Sequence, residues 1–280
     1  MKTILLILFS LNILFAKDII FATYPSTTPE KLIEAFTPLV KKLSIDLKRE
    51  VKLVVTKDYN ELSDGLKEGS VDMAWMGSNT YVETKKEFPS LVYMATYVER
   101  DIAKEIIIPY YNAVILTLKD SPIESLKDLK GRTFAFTDVG STSGYAYPAM
   151  MLRREGINPR KDFDKLFFLK KHDKVIEALV EGSIDAGAVS GGTYDNAVKK
   201  YGSIFKIIKT SPPIPLDPIV ASPKLDKNIV ERAKETLVSI KEHSPETDAI
   251  KKALGWDAAG FAIKSDAFYD DIREALEYKE

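Results

Sequence analysis

"HDKVIEALVEGSIDAGAVSGGTYDNAVKK" (residues 172–200) reads as a helix, a glycine stop, a strand of small and apolar residues, more glycine and a second helix. The same order runs through "YNELSDGLKEGSVDMAWMGSNTYVETKK" (residues 59–86). Both stretches share Glu-Gly-Ser-hydrophobic-Asp, at residues 68–72 and again at 181–185, 113 positions apart. Two similar α/β units at that spacing predict two lobes.

The rest of the chain carries the alternation outward. "DIIFATYP" (18–25) is a strand ending in a turn, and "VKLVVT" (51–56) is another. Between them Leu32, Ile33, Phe36, Leu39, Val40, Leu43 and Leu47 recur at helical spacing, behind Ser26, Thr27, Thr28 and Pro29, a helix-start signature. "NAVILTLKDSP" (112–122) is a strand, "SLKDLKG" a short helix closed by Gly131, and "RTFAFTDVG" a strand. Four prolines fall within residues 212–218, and two helices are expected around 231–242 and 266–278. Strands alternating with helices predict an α/β fold with largely parallel sheets.

The strand "RTFAFTDVG" delivers Gly140-Ser141-Thr142-Ser143-Gly144, three hydroxyls between glycines at the start of a helix. One hydroxyl is explained by capping. Three, with free amides and the positive end of the helix dipole, suit a tetrahedral oxyanion. A catalytic serine fits less well. A nucleophile elbow is Gly-x-Ser-x-Gly, whereas the central residue here is Thr142, and His172 and His243 are the two histidines available as its base.

Bulk composition removes other classes. Residues 1–16 hold one lysine and an apolar run that closes on Ala16, which is the layout of a secretory signal peptide cleaved there. The run is shorter than the roughly 20 residues that span a bilayer. The sequence has no cysteine, so thiol chemistry, thiolate metal sites and a lipoprotein anchor are excluded, and a soluble exported protein held together by its core is expected. Forty basic against forty-one acidic residues argue against nucleic acid as a partner. No cofactor, metal site or catalytic residue is expected.

Over nearly the whole exported chain the sequence resembles the periplasmic phosphonate- and phosphite-binding proteins that feed ABC transporters. The carriers are "GSVDMAWMGSNTYV", "YNAVILTLKDSPIESLKDLKGRTFAFTDVGSTSGYAYP", "HDKVIEALVEGSIDAGAV" and "PPIPLDPIV". The resemblance implies a type II periplasmic-binding-protein fold: two lobes, each a mixed sheet flanked by helices, joined by two crossover strands and closing on a ligand. The crossovers fall near residues 111–113 and 210–213. Lobe one is then residues 17–110 plus 212–280, and lobe two residues 111–211.

The resemblance also implies a site. Ser141, Thr142 and Ser143 match the family's oxyanion loop, and His172, Tyr59 and Tyr111 match positions near the ligand. Tyr24, Ser78 and Thr80 sit at strand-to-helix turns of lobe one, where opposing contacts are expected. Asp217 matches a carboxylate that faces the ligand, which requires a proton or an amine on that ligand. Relatives that bind aminoethylphosphonate carry an acidic residue where this chain reads Ser190-Gly191-Gly192-Thr193, with no carboxylate before Asp195. That departure favours phosphite, phosphate or methylphosphonate. The expected partners are a small phosphorus oxyanion and an inner-membrane permease, with the protein a periplasmic monomer. The alternative is the same fold presenting its ligand to a histidine kinase or chemoreceptor.

Overall fold

The computed structural model describes residues 17–277, so the leader expected over 1–16 lies outside the described residues. In chain order the strands are β1 (Ile19–Thr23), β2 (Val51–Val55), β3 (Met73–Trp75), β4 (Val92–Asp101), β5 (Ile106–Ile108), β6 (Tyr110–Tyr111) and β7 (Ala113–Leu118). They continue with β8 (Thr133–Phe136), β9 (Lys165–Phe168), β10 (Ala186–Ser190), β11 (Phe205–Thr210), β12 (Ile214–Pro215), β13 (Pro218–Ala221) and β14 (Ala258–Ala262). One lobe is built on the order β14-β4-β13-β3-β1-β2, with β5 added to β4, and the other on β11-β7-β10-β8-β9. Between them β6 and β12 pair antiparallel, Tyr111 opposite Ile214, and form the two crossovers. Asn112 and Ser211 tie these connections together, as the Asn112 amide donates to the Ser211 carbonyl at 2.8 Å.

The sheets are mixed, as the resemblance implies, and not largely parallel as the alternation of strand and helix alone predicts. β1 runs parallel to β2 and β3, and β8 parallel to β9 and β10. β13 is antiparallel to β3 and β4, and β7 to β10 and β11. The crossovers are the cause. A strand such as β7 or β13 enters its sheet from the side where the lobes meet, so it runs against the strands that end there. Those that end there, β1, β3, β4, β8 and β10, present their carboxyl ends to the cleft, where α/β sheets bind ligands.

The repeated motif does the same work in both lobes. In the first, Asp72 Oδ2 accepts the Ile20 N–H at 2.8 Å while the Asp72 N–H donates to the Ile20 carbonyl. In the second, Asp185 Oδ2 accepts the Thr133 N–H at 2.7 Å while the Asp185 N–H donates to the Thr133 carbonyl. Each aspartate thus fixes the register of the strand beside it. The preceding Gly69 (φ 83°) and Gly182 (φ 70°) occupy the left-handed region that ends the helix before it.

Helix Pro29–Leu47 buries Leu32, Phe36, Leu39, Val40, Leu43 and Leu47 as their spacing predicts, but Ile33 is left 49% exposed. Phe36 packs on Trp75 with ring centroids 4.6 Å apart, and Tyr97 and Phe261 close around the same fully buried indole. The tail helices are Lys227–Ser239, Pro245–Leu254 and Asp270–Glu277, one more than expected; the first begins earlier because Asp226 caps it through the Asn228 and Ile229 amides, and the second starts where Ser244 accepts the Thr247 N–H.

Candidate functional site

The hydroxyl loop takes its shape from its own side chains. Asp138 Oδ1 accepts the Gly140 N–H at 2.9 Å, and the Asp138 carbonyl accepts the Ser141 N–H. Ser141 Oγ accepts the Gly144 N–H at 3.0 Å and caps a wide turn, Thr142–Ala146, which leads into helix Tyr147–Arg154. Thr142 Oγ1 accepts the Asn79 N–H at 2.8 Å, a contact from the other lobe. Both hydroxyl oxygens are therefore occupied by amides, which leaves their protons to be donated elsewhere. The amides of Thr142 and Ser143 lie in the first turn, where a helix supplies no acceptor of its own.

His172 faces this loop, its Nε2 3.4 Å from Ser141 Oγ. The Ser190 N–H donates to His172 Nδ1 at 3.1 Å, so that nitrogen carries no proton and the neutral ring bears its hydrogen on Nε2. Burial pushes the imidazole down to about 4, against a small opposing effect from Asp173. The ring is then a neutral donor at physiological pH. Burial likewise raises the phenols of Tyr59 and Tyr111, which stand beside Ser141 and the Thr142–Ser143 pair respectively and stay protonated.

Asp217 lines the same cavity but is satisfied from its own lobe. Its Oδ2 accepts the Tyr24 hydroxyl and, at 3.0 Å, the Trp75 indole N–H. Burial still lifts this carboxyl to about 6, because the donated hydrogen bonds only partly offset desolvation. Tyr24 stacks on Tyr59 (centroids 4.9 Å, 22° between planes) and spends its only proton on Asp217, so toward the cavity it offers lone pairs.

Ser78 and Thr80, expected to face a ligand, do otherwise. The Ser78 hydroxyl donates to the Pro215 carbonyl at 2.7 Å, and Thr80 Oγ1 donates to the Gly140 carbonyl at 3.0 Å. Neither lines the cavity. Each hydroxyl has one proton, and the backbone of a neighbouring segment takes it. Thr80 instead joins Asn79, whose amide donates to the Val139 and Gly140 carbonyls, in holding the two lobes together. Tyr24, Tyr59, Tyr111, Ser141, Thr142, Ser143, His172 and Asp217 all line one cavity of about 290 Å³. His243 is solvent-exposed, far from that role, with its side chain 81% accessible.

The cavity also has walls that the sequence pattern does not reveal. β4 brings Tyr97 and Glu99 to it, the loop just before β14 brings Trp256 and Asp257, and the start of helix Gly191–Tyr201 adds Gly192, Asp195 and Asn196. Burial pushes the Glu99 carboxyl up to about 7, reinforced by the charges of Asp257 and Asp217. Glu99 and Asp217 both hold their protons more tightly when folded, so the unfolded chain ionises first as pH rises. The stability these two groups contribute is then complete below about pH 4 and is lost as pH climbs through 6 and 7. For Glu99 this amounts to on the order of 2 kcal/mol. Glu99→Gln should therefore gain that much on the parent between pH 5 and pH 8, about 4–8 °C in melting temperature for a chain this long. Thermal unfolding of both proteins without ligand checks it, and a constant difference across pH would refute it.

Comparison with known proteins bears on the family and the fold. A family profile described as "ABC transporter, phosphonate, periplasmic substrate-binding protein" matches residues 21–269. The phosphonates-binding periplasmic protein of Escherichia coli (strain K12) is 27% identical over 272 residues, 94% of this chain and 77% of that protein. The phosphate-import protein PhnD of Mycolicibacterium smegmatis is 25% identical over 283 residues, 94% of this chain and 86% of that protein. Among solved structures, PhnD1 from Prochlorococcus marinus in complex with methylphosphonate has a similar two-lobed fold, with a TM-score of 0.81 at 24% identity over 93% of this chain and 97% of that one.

Proposed function

The chain belongs to the family of periplasmic substrate-binding proteins of phosphonate ABC transporters, and from that premise we propose that it binds a monoprotonated phosphorus oxyanion between its lobes. It passes the ligand to an inner-membrane permease and carries out no chemistry on it. The observation that carries this reading is the set of proton donors at one end of the cavity. The hydroxyls of Ser141, Thr142 and Ser143, the Nε2–H of His172 and the phenols of Tyr59 and Tyr111 converge there with no arginine among the lining residues. Neutral donors at a helix start suit a tetrahedral anion. Opposite them Tyr24 and Asp217 offer acceptors, which favour a ligand that still has a P–OH and disfavour sulfate, which has none at neutral pH.

On this reading lobe one is residues 17–110 plus 212–280 and lobe two residues 111–211. The protein acts as a monomer, has no nucleic-acid partner, and reaches the periplasm after cleavage near Ala16. A thermal-shift panel of phosphate, phosphite, methylphosphonate and sulfate tests the proposal. A bound ligand at 100 times its dissociation constant adds about 2.7 kcal/mol. At least one phosphorus oxyanion should raise the melting temperature while sulfate leaves it unchanged. Stabilisation by sulfate as large as by every phosphorus oxyanion would overturn it.

A further inference from the structure

The hydroxyl loop is shaped by a carboxylate, which is the wrong charge for an anion site. Asp138 is 5% exposed. Its Oδ1 accepts the Gly140 N–H at 2.9 Å and its carbonyl accepts the Ser141 N–H, so it sets the turn that carries the three hydroxyls. Its field reaches the cavity. The Tyr59 phenol, raised foremost by burial, is raised further by the Asp138 charge. A buried carboxylate repels a nearby anion, and it is costly to bury unless a cation answers it. That cation is Lys170, whose Nζ lies 3.0 Å from Asp138 Oδ2. Lys170 does not line the cavity, and 68% of its side chain is exposed. Its backbone is unusual as well. At φ 70° it lies in the left-handed region, where glycine sits without strain and a longer side chain does not. Such a conformation persists where the surroundings over-determine it. Here the Lys170 N–H donates to the Thr137 carbonyl at 2.9 Å, next to Asp138, and two residues further on His172 faces Ser141.

We propose that Lys170 is a positioning residue of the oxyanion site that acts through Asp138, cancelling the charge of the carboxylate that shapes the hydroxyl loop. This rests on the oxyanion reading above and adds a residue outside the cavity that tunes it. The loop needs a strong acceptor to hold the Gly140 amide, and an ionised carboxylate makes a stronger hydrogen bond than a neutral group. Left alone, that same charge would work against the ligand. Lys170 removes the conflict from outside, so the loop keeps its charged acceptor while recognition stays with the neutral hydroxyls. A lysine inside the cavity would instead attract any anion as a point charge. The turn between β9 and helix His172–Val180 thus serves the loop twice, with His172 from inside the cavity and Lys170 from outside it.

Isothermal titration of the full chain with methylphosphonate, phosphite and phosphate, run as a double-mutant cycle at low salt, decides the point. Lys170→Gly accepts the left-handed backbone and should weaken binding roughly tenfold, the scale of one uncompensated charge in a medium of intermediate dielectric. Lys170→Asn, which also tolerates that backbone, should behave alike as a second neutral variant. Lys170→Arg keeps the charge and should stay within about threefold of the parent. Asp138→Asn keeps an acceptor for the Gly140 amide but carries no charge to cancel. In that background Lys170→Gly should change affinity by less than about twofold. An equal loss in both backgrounds would mean that Lys170 acts on the fold or directly on the ligand, and would overturn the proposal. Parent-like binding by both neutral variants would overturn it too, and either result leaves the oxyanion reading intact. Failure of the parent to bind any of the three compounds would remove the oxyanion reading and this inference together.

Discussion

Replacing Ser141 and Ser143 together by alanine is expected to weaken oxyanion binding by roughly a hundredfold to ten-thousandfold. Hydrogen bonds to a charged group contribute about 1.5–3 kcal/mol each, and this double change removes two. The site compensates poorly, because no arginine lines the cavity and its single lysine is turned to Asp173. Stability should suffer much less. Ser141 also caps the Gly144 amide, and losing a cap costs about 1 kcal/mol. Calorimetric titration together with thermal unfolding separates the two effects. An affinity within threefold of the parent, with the melting temperature lowered, would reduce the loop to a helix cap.

Gly140→Ala is expected to block lobe closure without harming the unliganded fold. A Cβ at Gly140 would lie 2.5 Å from Tyr59 Cβ and 2.6 Å from its Cγ, and these atoms are too close to the backbone to swing aside. Tyr59 opens helix Tyr59–Glu68 in one lobe, whereas Gly140 belongs to the loop after β8 in the other. The clash therefore exists only when the lobes meet, where the Gly140 carbonyl also accepts from Asn79 and Thr80. Overpacking costs about 1–3 kcal/mol. Charged against the closed state alone, that is roughly a five- to 150-fold loss of affinity. Small-angle scattering should show the parent contracting on ligand addition and the variant contracting less. Gly144→Ala is the contrast, since its Cβ would fall 1.8 Å from Thr137 Oγ1 within a single lobe and should lower the melting temperature with or without ligand. A Gly140 variant that closes and binds like the parent would sink the argument.

The hydroxyl loop was legible in the sequence because its cap is local, and the duplicated Glu-Gly-Ser-hydrophobic-Asp because it repeats. Ser141 caps three residues on, and the duplicated motif is visible as a repeat even though Asp72 and Asp185 each steady a strand 52 positions away. The helical spacing of Leu32 to Leu47 and the glycine stops at 69 and 182 are local in the same sense. Strand direction was not legible. β7 and β13 run against their neighbours because the chain has just crossed between lobes, and alternation of strand and helix carries no record of that. β4 and β14 went unread as well, and with them the cleft wall of Tyr97, Glu99, Trp256 and Asp257.

Hydrogen-bond partners were decided at long range too. Ser78 and Thr80 are the residue types that bind oxyanions, yet their protons go to Pro215 and Gly140, 137 and 60 positions away. Asp217 meets Tyr24 across 193 positions and Trp75 across 142. By itself, then, the sequence determined many of the strands and helices around the site, where the anion loop starts and that two lobes exist. Only the tertiary structure decided which protons and lone pairs remain free to face a ligand. A hydroxyl gives its single proton to whichever acceptor folding brings within about 3 Å, and no local pattern encodes that neighbour.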